Sequence, residues 1–227
     1  MVREMDKTVT AVLISAGLDS TVLAAKEALT SIVQPLYIST GLAWEKAELK
    51  VLTTILNSQP LAHAQPLVNL FLSVSDLYPP THWAISGNPP DFDTPDEDVY
   101  LTGRNIILLS KAAIYCSQHG IERIALGSLA GNPFPDATPE FFHAIAHALS
   151  LALSTKIQIA TPFASIHKPD VVRLGATLHV PLELTLSCMN PDGVHHCGKC
   201  SKCRERRDGF ANAGIEDLTK YAVLPPR

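Results

Sequence analysis

Three features of the sequence predict a doubly wound α/β fold on a five-stranded, mainly parallel sheet. Apolar runs of strand length alternate with helical patterns along most of the 227 residues, and right-handed crossovers turn that alternation into a parallel sheet covered on both faces. The first apolar run ends in the small-residue turn Ser15-Ala16-Gly17 and passes directly into a helical segment, on the side of the sheet where such folds bind ligands. Beyond the last alternation, four cysteines crowd into residues 188–203, which predicts a small metal-bound C-terminal lobe.

Residues 8–15 (TVTAVLIS) read as a buried strand and 20–29 as the helix that follows it. Residues 32–39 (IVQPLYIS) form a second strand, with Pro35 predicting an irregular or edge-like start because proline cannot donate to a ladder. In 44–56, Glu and Lys fall on one face and Leu49, Leu52 and Leu56 on another, so this segment is helical. A short strand near 66–70 follows. The next helix is 105–119, then come a strand at 123–127 and a helix at 139–153 that opens on Pro139. A last strand at 157–160 and a last regular helix at 168–178 complete the series. One connection, 73–103, is too long to be plain: it holds Pro79, Pro80, Pro89, Pro90 and Pro95, together with Trp83 and acids from Asp91 to Glu97. Connections of that length are lids, binding loops or surface insertions.

Apolar types make up 46% of the chain and charged types 18%, enough for a sizeable core and too apolar for a disordered chain. The 18 Lys plus Arg against 22 Asp plus Glu leave a net charge of −4, a poor basis for sequence-independent nucleic-acid binding. No apolar stretch approaches the ~18 residues of a membrane span, and residues 1–10 carry Arg3, Glu4, Asp6 and Lys7 with no leader pattern. An odd, clustered cysteine set predicts a reducing, cytoplasmic setting and a metal site in place of disulfides. Cys116, alone inside the 105–119 helix, reads as a buried apolar residue. By length the chain is one domain with an appendage: an α/β domain at 1–185 and a cysteine-bearing lobe and tail at 186–227.

The turn after the first strand can cradle an anion. Small residues let the backbone turn closely, free N–H groups at a helix start face the ligand, and Ser15, Ser20 and Thr21 add hydroxyls. Asp19 beside a bound polyphosphate makes sense if it holds Mg²⁺ or orients a water; the alternative is an ordinary N-capped turn. The spacing differs from the Walker lysine loop. It resembles the S-G-G-x-D-S loop of the PP-loop ATP pyrophosphatases, which release pyrophosphate and transfer AMP to a substrate oxygen. That resemblance assigns Ser15, Ala16, Gly17, Leu18, Asp19, Ser20 and Thr21 to ATP, with Ala16 standing in the first glycine's place. A methyl group there is crowded if the position needs φ > 0.

Cys188, Cys197, Cys200 and Cys203 suit a tetrahedral Zn²⁺, and four protein ligands close the sphere, so the ion is structural. Their compact knuckle favours zinc over an iron–sulfur cluster. Lys199, Lys202, Arg204, Arg206 and Arg207 are expected to offset the thiolate charge, and His195 and His196 to be exposed.

Together the two signals resemble the 7-cyano-7-deazaguanine synthase family over nearly the whole chain. Gly103-Arg104-Asn105-Ile106 is similar to its P-G-R-N helix start, and Pro135-Asp136 stands where it has Y-P-D-C-R. Thr161-Pro162-Phe163 with Lys168 is similar to its T-P-L…K segment. The run Thr185-Leu186-Ser187-Cys188, the knuckle through Cys203, and Arg206 match its C-terminus. The resemblance implies the adenine nucleotide alpha hydrolase-like fold, ATP with Mg²⁺ as co-substrate, structural zinc, a homodimer, and conversion of 7-carboxy-7-deazaguanine and ammonia to the nitrile through adenylated intermediates. Asp19, Arg104 and Lys168 are the expected catalytic residues, and Arg104, Asn105 and Asp136 the substrate contacts. Arg104, Lys168 and Asp136 also have plainer readings: a solvated helix-start arginine, a surface lysine, and an aspartate that caps the next helix. Phe134 replaces the family's Tyr, Ala137 and Thr138 its Cys-Arg, and Gly41-Leu42-Ala43-Trp44-Glu45 its His-containing segment, which puts the acceptor in question. The rival readings are adenylation and amidation or ligation of another carboxylate or macromolecular acceptor, and a non-catalytic zinc module.

Overall fold

The computed structural model describes residues 8–226; the reading of residues 1–7 as lacking a leader falls outside them. The sheet consists of β1 (Val9–Leu13), β2 (Ile32–Ser39), β3 (Val68–Phe71), β4 (Arg123–Ala125) and β5 (Gln158–Ala160). The order is β3-β2-β1-β4-β5, and every pairing is parallel. The helices are α1 (Leu18–Glu27), α2 (Glu45–Leu56), the short α3 (Trp83–Ser86), α4 (Arg104–Gln118), α5 (Pro139–Leu153), α6 (Lys168–Thr177) and α7 (Ser201–Ala213). Among the described residues, no helix is long and apolar enough to cross a membrane.

Two apolar layers sandwich the sheet. One packs α1, α2, α6 and the C-terminal segment against Val12, Val33 and Tyr37. The other packs α4 and α5 against Ala11, Leu36, Ile38 and Ile124. The chain leaves β1 toward β2 on one side and returns to β4 on the other, so the order reverses at the carboxyl end of β1. A crevice opens at such a switch point.

Local chemistry accounts for the boundaries. Pro35 lies in a central strand, but β3 pairs with β2 only from Leu36 onward, and the Gln34 amide donates to the carbonyls of Pro35 and Pro66 where the ladder has not begun. Thr138 caps α5 by accepting from the Phe141 N–H at 3.1 Å, with Pro139 at the first turn. The buried carboxylate of Glu27 at the end of α1 pairs with Arg123 of β4, tying helix to sheet.

Two expectations are corrected. The residues of α2 divide differently from the reading of Glu with Lys on one face and leucines on the other: Glu45 and Glu48 are buried along with Val51, Leu52 and Ile55, Lys46 and Lys50 are exposed, and Leu49 and Leu56 are half-buried. The C-terminal segment also holds a regular helix, α7, that begins in the cysteine knuckle. The long connection is an ordered strap. Arg204 donates to the carbonyls of Phe92 and Thr94 at 2.7 and 2.8 Å and pairs with Asp96 at 2.9 Å, and the backbone of Asp91 bridges to Cys200.

Candidate nucleotide and acceptor site

At the carboxyl end of β1 the chain turns through Ala16 at φ 60°, in the left-handed region, and enters α1 with Gly17 as an N-cap that has no side-chain capping bond. The first-turn amides of α1 are therefore open to an anion. Ser20 Oγ accepts from the Ser15 N–H at 3.2 Å and donates to the Gly17 carbonyl at 3.1 Å, which fixes the loop on itself. A side chain at Gly17 would stand 3.3 Å from Ser15 Oγ. Leu186 N–H donates to the Ala16 carbonyl at 2.9 Å, tying the loop to the segment that leads to the cysteines.

This loop forms one end of a cavity of about 340 Å³ at the switch point. Ser15, Gly17, Leu18, Asp19 and Ser20 line it, whereas Ala16 and Thr21 face inward and are fully buried. Asp19 sits in the first turn of α1, not in an exposed loop. Its Oδ2 accepts from Lys168 Nζ at 2.5 Å, and its buried Oδ1 has no hydrogen-bond partner among the described residues. Lys168, the first residue of α6, also pairs with Glu205 of α7 at 2.7 Å. Burial works against the Lys168 ammonium, but Asp19 and Glu205 outweigh it and hold its pKa above the ordinary lysine value. Lys202 and Arg206 complete that wall.

The far end of the cavity is aromatic and carboxylic. Trp44 and Trp83 stack with ring centroids 5.8 Å apart and planes at 11°, which brings the strap onto α2. Tyr37 of β2 donates its hydroxyl proton to Glu48 at 2.6 Å. Burial raises the Glu48 pKa to about 8, against the opposing influence of that bond and of Arg104, so the carboxyl is largely protonated at neutral pH. Arg104 opens α4 after Gly103, faces the cavity, and keeps a buried Nε without a hydrogen-bond partner among the described residues. Asn105 lines the cavity, held by Asp136: its N–H donates to Asp136 Oδ2 at 3.0 Å and its side-chain amide to the Asp136 carbonyl at 2.8 Å. Asp136 itself is buried behind the wall and does not line the cavity.

The four cysteines form a separate centre. All four sulfurs lie within 4.8 Å of one another, with Cys188–Cys200, Cys197–Cys203 and Cys200–Cys203 separations of 4.0, 3.8 and 3.6 Å. A tetrahedral ion with metal–sulfur bonds near 2.3 Å requires sulfur edges of about 3.8 Å, so the donor set fits one. Backbone N–H groups of Asn190, Cys197 and Lys199 donate to the sulfurs of Cys188 and Cys197 at 3.2–3.4 Å.

The bases expected around the thiolates also hold other partners, while Arg206 lies near enough to Cys203 to interact with its charge. Arg204 holds the strap and Arg207 pairs with Asp208. Arg206 is buried and donates to Thr219, Thr185 and the Leu182 carbonyl at 2.6–2.8 Å. His196 is likewise buried, contrary to expectation. It accepts from the Ser187 N–H at 3.1 Å, and burial, aided by Arg206, lowers its pKa to about 3. His195 is exposed, as expected.

Comparison with known proteins agrees with this architecture. Residues 9–214 match the family described as queuosine biosynthesis protein QueC. The chain belongs to the QueC family. It is 35% identical over 219 residues to the 7-cyano-7-deazaguanine synthase of Methanothrix thermoacetophila, spanning 92% of this chain and 96% of that protein. It is 35% identical over 227 residues to the enzyme of the same name from Methanopyrus kandleri, spanning 93% and 98%. Among solved structures, a 4-thiouridine synthetase–RNA complex with bound ATP superposes with a TM-score of 0.50 at 14% identity, over 91% of this chain and 51% of that one. That likeness supports the PP-loop, adenine nucleotide alpha hydrolase-like fold.

The positions read from the sequence as departures fall in different places: Phe134 lines the cavity and stacks on Tyr100. Ala137 and Thr138 lie in the turn and cap before α5, and neither lines the cavity. Trp44 and Glu45 do line it; Glu45 accepts from the N–H groups of Thr40 and Gly41 at 2.7 and 3.2 Å. Sequence reasoning did not place Glu48, Lys202 or Glu205 at the cavity, which all three line. For Glu48 a signal was present, since Glu45 and Glu48 stand three apart and share a helix face. For Glu205 there was none, because its partner Lys168 is 37 positions away.

Proposed function

We propose that this chain forms 7-cyano-7-deazaguanine from 7-carboxy-7-deazaguanine and ammonia with ATP, as an adenylating ligase. The observation that carries this reading is the single cavity in which the open amides of α1 and Lys168 face Arg104, Asn105 and the Trp44–Trp83 wall. Relatives bearing the synthase name along their whole length support it.

In this reading the loop amides, Ser15 and Ser20 hold the polyphosphate, and Lys168 stabilises the charge of departing pyrophosphate. The unpartnered Oδ1 of Asp19 suits a Mg²⁺ carried by the nucleotide, which would neutralise phosphate charge there. Arg104, with its free Nε, faces the acceptor carboxylate. The carboxylate oxygen attacks the α-phosphorus and pyrophosphate leaves. Ammonia then displaces AMP to give the amide. A second ATP adenylates the amide oxygen, and loss of AMP and the remaining N–H proton leaves the nitrile. The four thiolates hold Zn²⁺ as a structural ion. We further assign the protein a cytoplasmic location and a homodimeric state.

Incubation with ATP, Mg²⁺, ammonia and 7-carboxy-7-deazaguanine, followed by mass spectrometry, is expected to yield the nitrile, AMP and pyrophosphate. Asp19→Asn is expected to abolish pyrophosphate release while keeping the fold. Near-normal release by that variant would remove Asp19 from the mechanism. The Trp44–Trp83 wall, in place of the family's His-containing segment, favours a second reading: the same adenylation with another carboxylate acceptor. In that case pyrophosphate appears with a different carboxylate and not with the deazaguanine acid.

A further inference from the structure

A lysine at the first position of a helix is ordinarily a solvated cation on a mobile stem. Lys168 is only 15% exposed at its side chain, and much of what fixes it comes from α7. A Cβ added at Gly209 would stand 2.6 Å from Lys168 Cγ, so the missing side chain is the slot in which the stem lies. One turn earlier on the same helix face, Glu205 Oε1 accepts from the ammonium at 2.7 Å. Lys202 secures the other Glu205 oxygen at 2.6 Å. The same helix is capped by Cys200 and carries Cys203 in its first turn. The cysteine centre thus anchors one end of α7, and the following turns are shaped around Lys168.

We propose that Glu205 and Gly209 are positioning residues that hold the Lys168 ammonium at the mouth of the nucleotide loop, and that the cysteine centre fixes the helix presenting them. Neither needs to touch the nucleotide. An ammonium held in place meets the charge of departing pyrophosphate without reorganising. Glu205 also shares that charge in the resting state, so its removal loosens Lys168 without weakening the first encounter with nucleotide. The effect belongs in kcat more than in KM. This inference rests on reading Lys168 as a polyphosphate-facing cation, and the test separates the two.

The test acetylates the intact, metal-loaded chain with an amine-reactive ester and reads each lysine by peptide mass spectrometry. In the wild type, Lys168 is expected to react far more slowly than Lys156, whose side chain is 64% exposed. Glu205→Gln and Gly209→Ala are expected to speed labelling of Lys168 severalfold, with the Lys156 rate and metal content unchanged. In pyrophosphate release, Glu205→Gln should lower kcat about tenfold with KM for ATP nearly constant, and Glu205→Asp should recover part of that loss. Unchanged Lys168 labelling in both variants overturns the proposal, as does a kcat loss that merely tracks loss of metal. Protection of wild-type Lys168 by Mg·ATP supports the underlying reading. Its absence, with labelling still accelerated in the variants, overturns that reading and leaves the positioning intact.

Discussion

Ala16 shows how a single residue records a trade between loop geometry and backbone strain. Its φ of 60° places a Cβ where glycine is the natural occupant, at a cost of roughly 1–2 kcal/mol. Ala16→Gly is therefore expected to stabilise the protein by about 1 kcal/mol, raising Tm by roughly 2–4 °C in a chain of this size. An unchanged or lower Tm in a thermal melt would mean that the loop relaxes around the methyl group. Glu48 gives a residue-scale prediction in pH. Its folded pKa is raised to about 8, so its contribution to stability is complete below the unfolded value near 4.3 and is lost as pH rises through about 8. Glu48→Gln keeps the shape and cannot ionise. Its Tm relative to wild type should therefore climb between about pH 5 and 8, and parallel curves across that window would show Glu48 to be ionised in the fold. The loop residues were legible because a small-residue turn between strand and helix has a local signature. Glu48 was not, since a glutamate on a helix reads as solvated until the sheet beneath it is known.

At the level of elements, the knuckle and α7 behave as one unit, with Cys200 as helix cap and Cys203 in the first turn. About one metal ion per chain is expected from elemental analysis. Cys200→Ser should lower metal content and cost more than about 2 kcal/mol, because it removes a ligand that fixes the start of the helix. A metal-free wild type with an undiminished melting temperature would exclude the centre. The ligand spacing was legible in the sequence, since four thiols in sixteen positions suit few other arrangements. The helix was not. Residues 201–208 (SKCRERRD) carry charge on every side, so no apolar stripe announces them, and the buried face is built from Cys203, Arg206, Gly209 and Phe210. The helix at α2 was legible, but the side its glutamates take was not, for a related reason. Its inward face joins Val51, Leu52 and Ile55 to two glutamates, whose charge had placed them outside.

The whole molecule closes its site with parts far apart in sequence, which is where local reading ends. Alternating strands and helices established the parallel sheet and its ligand-binding edge. They could not show that residues 73–103 return across the cavity to meet a C-terminal helix, because nothing local pairs Arg204 with Phe92, Thr94 and Asp96. That junction holds down the strap that carries Trp83, Val99 and Leu101 into the cavity wall. Arg204→Ala removes the guanidinium that satisfies both carbonyls and the carboxylate, and charge-assisted hydrogen bonds of this kind contribute about 1.5–3 kcal/mol. The strap is a local element, so its loosening should cost the global fold less than that. The expected outcome is faster proteolytic cleavage within residues 88–99 and a higher KM for the acceptor. KM for ATP should change little, because the loop at the opposite end keeps its own hydrogen bonds between Ser15, Gly17 and Ser20. Equal rises in both KM values would place the strap over the nucleotide as well. An intact strap with unchanged KM values would make Arg204 a surface contact with no part in shaping the site.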